Sequence, residues 1–168
     1  MTVSRRNFCT IAGSTVASLL LWNACEFDHN TKSRSGRIEP RPKPNAKPAP
    51  QGGEMVLGDE DRRALLRLPQ NPEARPLPLF IMLHGATQSA EDMFRYLEPQ
   101  LEGSGVAVLA PNSRDTTWDA IGGKFGPDIE FLNRTLERVF ETYAIDPARV
   151  SIGGFSDGAS YAISLGLI

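Results

Sequence analysis

Cysteine is scarce in this chain, and its placement excludes a common way of stabilising a small domain. The sequence contains 2 cysteines among 168 residues, and these are Cys9 and Cys25. Because no thiol follows Cys25, the rest of the chain cannot form a disulfide framework. Its stability must therefore come from a hydrophobic core.

A strong excess of either charge sign is also lacking. The formal net charge is −2, from 18 Lys and Arg against 20 Asp and Glu. The basic clusters lie near the N-terminus and in a proline-rich stretch, so the composition gives no reason to expect nucleic acid as a partner. With 40% hydrophobic and 23% charged residues, the chain is typical of a globular protein of one domain.

No hydrophobic run reaches the length of a membrane span, which needs about 20 residues, but a shorter one lies near the N-terminus. Residues 4–8 read SRRNF, and an apolar segment follows over residues 11–22. A positively charged start before a short apolar segment is typical of a secretory signal. The arginine pair, Arg5 and Arg6, resembles a twin-arginine signal, which implies export to the periplasm or beyond through the twin-arginine machinery. Cys9 stands where Leu is usual, and a general secretory signal that happens to hold two arginines is the alternative.

Cys25 ends this signal segment, which we place at residues 1–25. The run LWNAC at residues 21–25 resembles a bacterial lipoprotein cleavage site, although Trp22 stands where an aliphatic residue is usual. The resemblance implies lipidation of Cys25; the alternative is a small apolar residue at the end of a signal. Residues 26–53 include RIEPRPKPNAKPAPQGG, whose spaced prolines favour extended polyproline II and a tether. A lipidated Cys25 with such a tether would anchor the protein to a membrane.

The remaining residues, 54–168, alternate apolar runs with helical patterns. This alternation predicts βαβ units and an α/β fold with a parallel-sheet core. Ser89 with Asp92 forms a capping-box pattern, and Pro127 suits the first position of a helix. We expect Pro99 to kink or shorten the first helix. The predicted strands cover residues 62–68, 79–83, 106–110 and 150–153, and the predicted helices begin at Ser89, Pro127 and Gly158.

Residues 154–158 read Gly-Phe-Ser-Asp-Gly, a Gly-x-Ser-x-Gly pattern between a predicted strand and a predicted helix. In this pattern the serine occupies a sharp, strained strand-to-helix turn, and the neighbouring glycines avoid clashes. The turn exposes the hydroxyl of Ser156 at a helix N-terminus, where developing negative charge is favoured. The sequence therefore predicts Ser156 as a nucleophile.

Three stretches carry a resemblance to a family. These are LHGATQSAEDM, the loop with Trp118, and AIDPARVSIGGFSDGASYAISLGL. They resemble the α/β-hydrolase esterases related to polyhydroxybutyrate depolymerases, feruloyl esterases and the phospholipase/carboxylesterase group. The resemblance implies an α/β-hydrolase fold and cleavage of a small-molecule or polymeric carboxylic ester through an acyl-enzyme. It also implies that no metal or cofactor takes part.

The same resemblance implies an oxyanion hole made of two backbone amides. One amide belongs to the residue after the nucleophile, Asp157, and the other to the loop that follows the first buried strand. In that loop we assign Ala86, with Thr87 as a substitute. His84, at the start of this loop, has the wrong position for the catalytic base, and we expect a structural role for it.

We make a prediction for three other residues. Trp118 lines the substrate site or packs within its loop; the sequence leaves both open. Asp157 directly follows the nucleophile, so its side chain cannot orient a base. His29 lies in the tether, where we expect it to be solvated.

The sequence lacks candidates for the catalytic base and its carboxylate partner. In this fold the chain order is Ser, then Asp or Glu, then His, whereas residues 157–168 contain no histidine and Asp157 as their sole carboxylate. We therefore expect a domain truncated after the nucleophile turn and inactive by itself. Two alternatives stay open, a serine peptidase on the same fold and a non-catalytic lipoprotein that binds ligands.

Overall fold

The computed structural model describes residues 36–43, 46–47, 52–59, 61–70 and 76–166. The predicted signal segment 1–25, with its arginine pair and Cys25, lies outside the described residues, as does His29. The described elements, in chain order, are strands β1 (Glu54–Gly58), β2 (Arg63–Arg67) and β3 (Leu77–Leu83), helix α1 (Ala90–Leu101), strand β4 (Ala107–Pro111), a short 3-10 helix (Asp119–Gly122), helix α2 (Pro127–Thr142), strand β5 (Ile145–Gly154) and helix α3 (Asp157–Gly166).

The five described strands form one mixed sheet in the order β1-β2-β4-β3-β5. Strands β4, β3 and β5 are parallel, with Leu79 of β3 opposite Ala107 of β4 and Val150 of β5. This confirms the predicted parallel core. Strands β1 and β2 continue the sheet in antiparallel pairing, and β1 was not predicted, since Leu57 is its one buried residue.

Two apolar clusters cover the two faces of the sheet. Alternate side chains of β3, such as Leu79 and Ile81, belong to the cluster that also contains buried residues of α2 and α3. Phe80 and Met82 point to the opposite face and pack against the cluster that contains Met93 of α1. The sheet is thus a middle layer between helices, the arrangement that βαβ crossovers produce.

Helix α1 has the predicted start. The Ser89 amide donates to Asp92 Oδ2 at 2.9 Å, and the Asp92 amide donates to Ser89 Oγ at 3.3 Å, which is a capping box. The helix continues past Pro99 to Leu101, so the proline does not end it. Gly103 and Gly105, with φ of 71° and 68°, follow its end.

Helix α2 begins at Pro127, as predicted. Its buried stripe contains the expected apolar residues Ile129, Leu132, Leu136, Val139 and Phe140. Asp146 and Pro147 lie within β5, where the pairing to β3 shifts register between Leu77 and Leu79. The extra residues bulge out before the stretch that leads to Ser156.

Part of the predicted tether contacts α2. The Glu39 amide donates to Asn133 Oδ1 at 3.1 Å, and Asn133 Nδ2 donates to the Arg37 carbonyl at 3.0 Å. Further along, the Ala144 amide donates to the Lys47 carbonyl at 2.8 Å, and Ile38 packs against the larger apolar cluster. Contacts with the α/β domain therefore begin before residue 54, where we placed its boundary.

Candidate active site

Ser156 occupies the turn between β5 and α3. Its φ is 49°, a left-handed conformation that costs a non-glycine residue about 1–2 kcal/mol. The side chain is exposed, and the Ser156 carbonyl accepts hydrogen bonds from the amides of Ala159 and Ser160 at 3.0 and 3.2 Å. The hydroxyl therefore lies at the positive end of the α3 dipole, which stabilises negative charge near it.

The two glycines of the turn are required by close backbone contacts. A Cβ at Gly154 would lie 2.4 Å from the carbonyl carbon of Gly158. A Cβ at Gly158 would lie 2.3 Å from the Leu83 carbonyl oxygen and 2.5 Å from that of His84. Neither contact can be relieved by a side-chain rotation, because the obstructing atoms belong to the backbone. This confirms the predicted physical reason for the Gly-x-Ser-x-Gly spacing.

The loop after β3 lies directly against this turn. The Phe155 amide donates to the Leu83 carbonyl at 3.0 Å, and a Cβ at Gly85 would lie 3.2 Å from Ser156 Cβ. The loop has its own internal hydrogen bonds, from the Gly85 amide to Gln88 Oε1 at 3.0 Å and from the Gln88 amide to the Gly85 carbonyl at 3.1 Å. The structure thus brings the predicted oxyanion loop and the predicted nucleophile together.

The amides of this loop differ in their availability. The Thr87 amide donates to the Thr116 carbonyl at 2.7 Å, so it is already occupied. Ala86 is exposed, and its amide has no acceptor among the described residues. Asp157 is the first residue of α3, and an amide at that position has no acceptor within its helix. Of the two loop residues considered, Ala86 is thus the one with a free donor.

His84 is held by two hydrogen bonds. The Ser113 amide donates to Nε2 at 2.9 Å, and Nδ1 lies 2.8 Å from the Gly85 carbonyl. Since Nε2 accepts, Nδ1 carries the proton and donates it to the carbonyl. Burial lowers the pKa of His84 below its ordinary value, which keeps the ring neutral at pH 7. With both nitrogens engaged, His84 has the structural role that the sequence predicts and is not placed to act as a base.

Trp118 is buried beneath the site. Its side chain is 1% exposed, its indole Nε1 donates to the His84 carbonyl at 2.8 Å, and its ring stacks on Tyr161 at 5.1 Å between centroids. These contacts correspond to the packing alternative. Substrate contact by Trp118 stays a prediction that its burial does not favour.

The Asp157 carboxylate faces the loop that follows β4. Thr117 Oγ1 donates to Asp157 Oδ2 at 2.7 Å. The role of the Asp157 amide stays a prediction.

Comparison with known proteins identifies the fold. No family model matches the sequence, and no curated protein matches it. Among solved structures, the fluorophosphonate-binding serine hydrolase F of Staphylococcus aureus aligns with a TM-score of 0.50 and 16% identity, over 65% of this chain and 49% of that chain. The Pyrobaculum calidifontis esterase and an ester-hydrolase from the metagenome of Lake Arreo give TM-scores of 0.51 and 0.52, each with 19% identity over 71% of this chain and 40% of theirs.

This chain has the α/β-hydrolase fold. It spans 40–49% of the length of these three hydrolases, and identities this low establish the fold alone. Ser156 lies at the strand-to-helix turn between β5 and α3 of this fold.

A buried charged cluster supports the loop beside the nucleophile turn, and sequence analysis missed it. Asp128, 1% exposed, accepts hydrogen bonds from the Arg62 side chain, from the Arg114 amide at 2.9 Å and from the Asp119 amide at 2.7 Å. The Asp128 amide donates back to Asp119 Oδ2 at 2.8 Å. The sequence carries no local sign of this ion pair, because Arg62 and Asp128 are 66 residues apart.

Burial dominates the electrostatics of this cluster. It lowers the pKa of Arg62 to about 10, so the guanidinium stays charged at pH 7. It raises the pKa of Asp119, and burial together with the Asp119 charge raises the pKa of Tyr161. Asp119 Oδ1 and the Tyr161 hydroxyl are both buried, and the interaction between these two side chains contributes to the raised pKa of Tyr161.

No group of three or more His, Cys, Asp or Glu side chains among the described residues is arranged to hold a metal ion. None of the helices formed by these residues is long and apolar enough to cross a membrane.

Proposed function

We propose that this chain carries the nucleophile of a serine hydrolase that cleaves carboxylic esters through an acyl-enzyme at Ser156. The observation that carries the proposal is the strained turn at Ser156, with φ of 49°, lying against the loop that contains Ala86. A hydroxyl at a helix N-terminus supplies a nucleophile, and a free backbone amide beside it supplies an oxyanion donor. An acyl-transfer site needs both.

The proposed reaction has two steps. In the first, Ser156 Oγ attacks the ester carbonyl while a base takes its proton, and the carbonyl oxygen becomes an oxyanion that accepts from the amides of Ala86 and Asp157. The C–O bond to the alcohol then breaks, and the alcohol leaves with the proton. In the second, water attacks the acyl-enzyme, releases the acid and restores the Ser156 hydroxyl.

Neither His84 nor Asp157 is placed to act as this base. Both nitrogens of His84 are engaged, and the Asp157 carboxylate is bound to Thr117. In the α/β-hydrolase fold the carboxylate and the histidine follow the nucleophile along the chain. We therefore propose that residues encoded after Ile168 supply both.

The resemblance to polyhydroxybutyrate depolymerases, feruloyl esterases and the phospholipase/carboxylesterase group supports a small-molecule or polymeric ester as substrate.

The SRRNF run supports export through the twin-arginine machinery, and the LWNAC run supports a lipid anchor at Cys25. Export that survives replacement of both Arg5 and Arg6 by Lys would contradict the first of these proposals. A Cys25→Ala variant that incorporates a fatty-acid analogue as the natural chain does would contradict the second.

Turnover of an ester panel and a peptide panel tests the proposed activity in a polypeptide that continues past Ile168. We expect Ser156-dependent turnover of esters, and Ser156→Ala should lower it by about 10⁴–10⁶-fold, because the residual rate then depends on the oxyanion hole and on binding. Ser160→Ala is the matched control, since Ser160 is an exposed serine of the same helix. Turnover of peptides alone would contradict the esterase proposal and support a serine peptidase. Binding without turnover of either panel would support a non-catalytic module.

A further inference from the structure

Three consecutive residues of the loop after β4 contact the two parts of the candidate site, the oxyanion loop and the turn at Ser156. We call residues 116–118 the clip. Thr116 contacts the oxyanion loop through its carbonyl, Thr117 contacts Asp157 through its hydroxyl, and Trp118 contacts the carbonyl of His84 through its indole. None of these contacts involves Ser156 Oγ or the amides of Ala86 and Asp157. The contacts would therefore act by fixing where those groups lie.

The contact with the oxyanion loop fixes a strained residue. Thr87 has a φ of 61°, a region that non-glycine residues rarely adopt. Its amide donates to the Thr116 carbonyl at 2.7 Å. This hydrogen bond holds the chain immediately after Ala86, and therefore limits the directions in which the Ala86 amide can point.

The contact with Asp157 acts on the second donor. Thr117 Oγ1 donates to Asp157 Oδ2 at 2.7 Å, across 40 residues of sequence. A hydrogen bond to a charged acceptor is stronger than one between neutral groups, so it fixes the side-chain rotamer of Asp157. It also keeps the Asp157 carboxylate turned toward Thr117. A carboxylate free to turn toward the reacting carbonyl would repel the oxyanion that develops there.

The contact with His84 joins the oxyanion loop to the nucleophile turn. Trp118 Nε1 donates to the His84 carbonyl at 2.8 Å. That same carbonyl oxygen would lie 2.5 Å from a Cβ at Gly158, so it is in close contact with the start of α3. Trp118 is stacked on Tyr161 of α3, which places the indole between the two structures that it connects.

The clip is anchored at its C-terminal end by the buried charged cluster. Asp119, the next residue, donates its amide to Asp128 Oδ2 at 2.7 Å, and Asp128 is paired with Arg62. A segment fixed in this way can position the groups that it touches, as a supporting shell does in a preorganised site.

We propose that the clip sets the positions of both oxyanion donors, Ala86 and Asp157, and that Thr117 is a positioning residue acting through Asp157. This inference rests on the proposed esterase function. It assigns to Thr117 an effect on the transition state, because the donors act on charge that develops only there.

The test replaces the Thr117 hydroxyl by a methyl group of similar size, in the ester-cleaving polypeptide that continues past Ile168. Thr117→Val should lower kcat by about tenfold and leave KM within about two-fold, since removal of a whole donor costs about 10²–10³ and here the donor is only displaced. The rate of Ser156 labelling by a fluorophosphonate should fall by the same factor, because the phosphonyl oxygen occupies the same hole. Thr117→Ser keeps the hydroxyl and should restore kcat.

Thr142→Val is the matched control. Thr142 Oγ1 also donates a hydrogen bond of 2.7 Å, to the Arg138 carbonyl on α2, so the control loses an equivalent bond far from the site and should keep the natural kcat. If Thr117→Val does not fold, as judged by its thermal midpoint, Thr117→Ala makes the same test without the added methyl group. An unchanged kcat in the folded Thr117 variant, or an equal fall in Thr117→Ser, would overturn the inference alone. Absence of Ser156-dependent turnover in the natural sequence would overturn it together with the proposed function.

Discussion

Single glycines determine whether the turn at Ser156 can form. Gly158 has backbone oxygens of Leu83 and His84 at 2.3 and 2.5 Å from the position of an added Cβ. Gly154 meets the backbone of Gly158 in the same way. The strain at Ser156 is therefore maintained by neighbours that leave its backbone no alternative position.

Gly158→Ala should destabilise the chain through this contact. We expect the free energy of unfolding to fall by about 1–3 kcal/mol, the usual effect of inserting a methyl group into a closely packed site. Urea denaturation of the 168-residue chain, followed by tryptophan fluorescence, measures it. Gly122→Ala is the control, because no atom lies within 4 Å of its added Cβ; an equal loss in both variants would contradict the packing explanation.

At the scale of elements, the buried charged cluster holds the loop after β4 to the start of α2. Arg62 precedes β2, and Asp128 lies in the first turn of α2. Their ion pair joins positions that are 66 residues apart. The Arg62 and Asp128 side chains are 11% and 1% exposed, so loss of one partner leaves the other charge buried.

Arg62→Met should therefore lower the free energy of unfolding by about 3–5 kcal/mol, the cost of an unpaired buried charge. Arg63→Met is the matched control. Its pair with Glu91 spans 3.6 Å between side chains that are 57% and 44% exposed, and such pairs contribute about 0–1 kcal/mol. Chemical denaturation of both variants measures the difference, and similar stabilities would contradict a structural role for the cluster.

Across the whole molecule, the features that were predicted correctly are those determined by neighbouring residues in the sequence. The capping box at Ser89, the start of α2 at Pro127 and the turn at Ser156 each follow from neighbouring residues, and all are present. Strand β1 was missed because Glu54–Gly58 is short and buries only Leu57. The clip and the Arg62–Asp128 pair were missed because they join residues distant in sequence, such as Thr117 and Asp157, for which no local pattern exists.

The proposed function depends on Ser156 as the nucleophile and on a base that follows Ile168 along the chain. Mass spectrometry of fluorophosphonate-treated protein tests both parts of this proposal. It locates the adduct in two polypeptides, the 168-residue chain and one that continues past Ile168. A serine hydroxyl needs a base for activation, so we predict an adduct on Ser156 in the longer polypeptide and negligible labelling of the shorter one. Rapid labelling of Ser156 in the 168-residue chain, or an adduct on another serine in the longer one, would contradict the account.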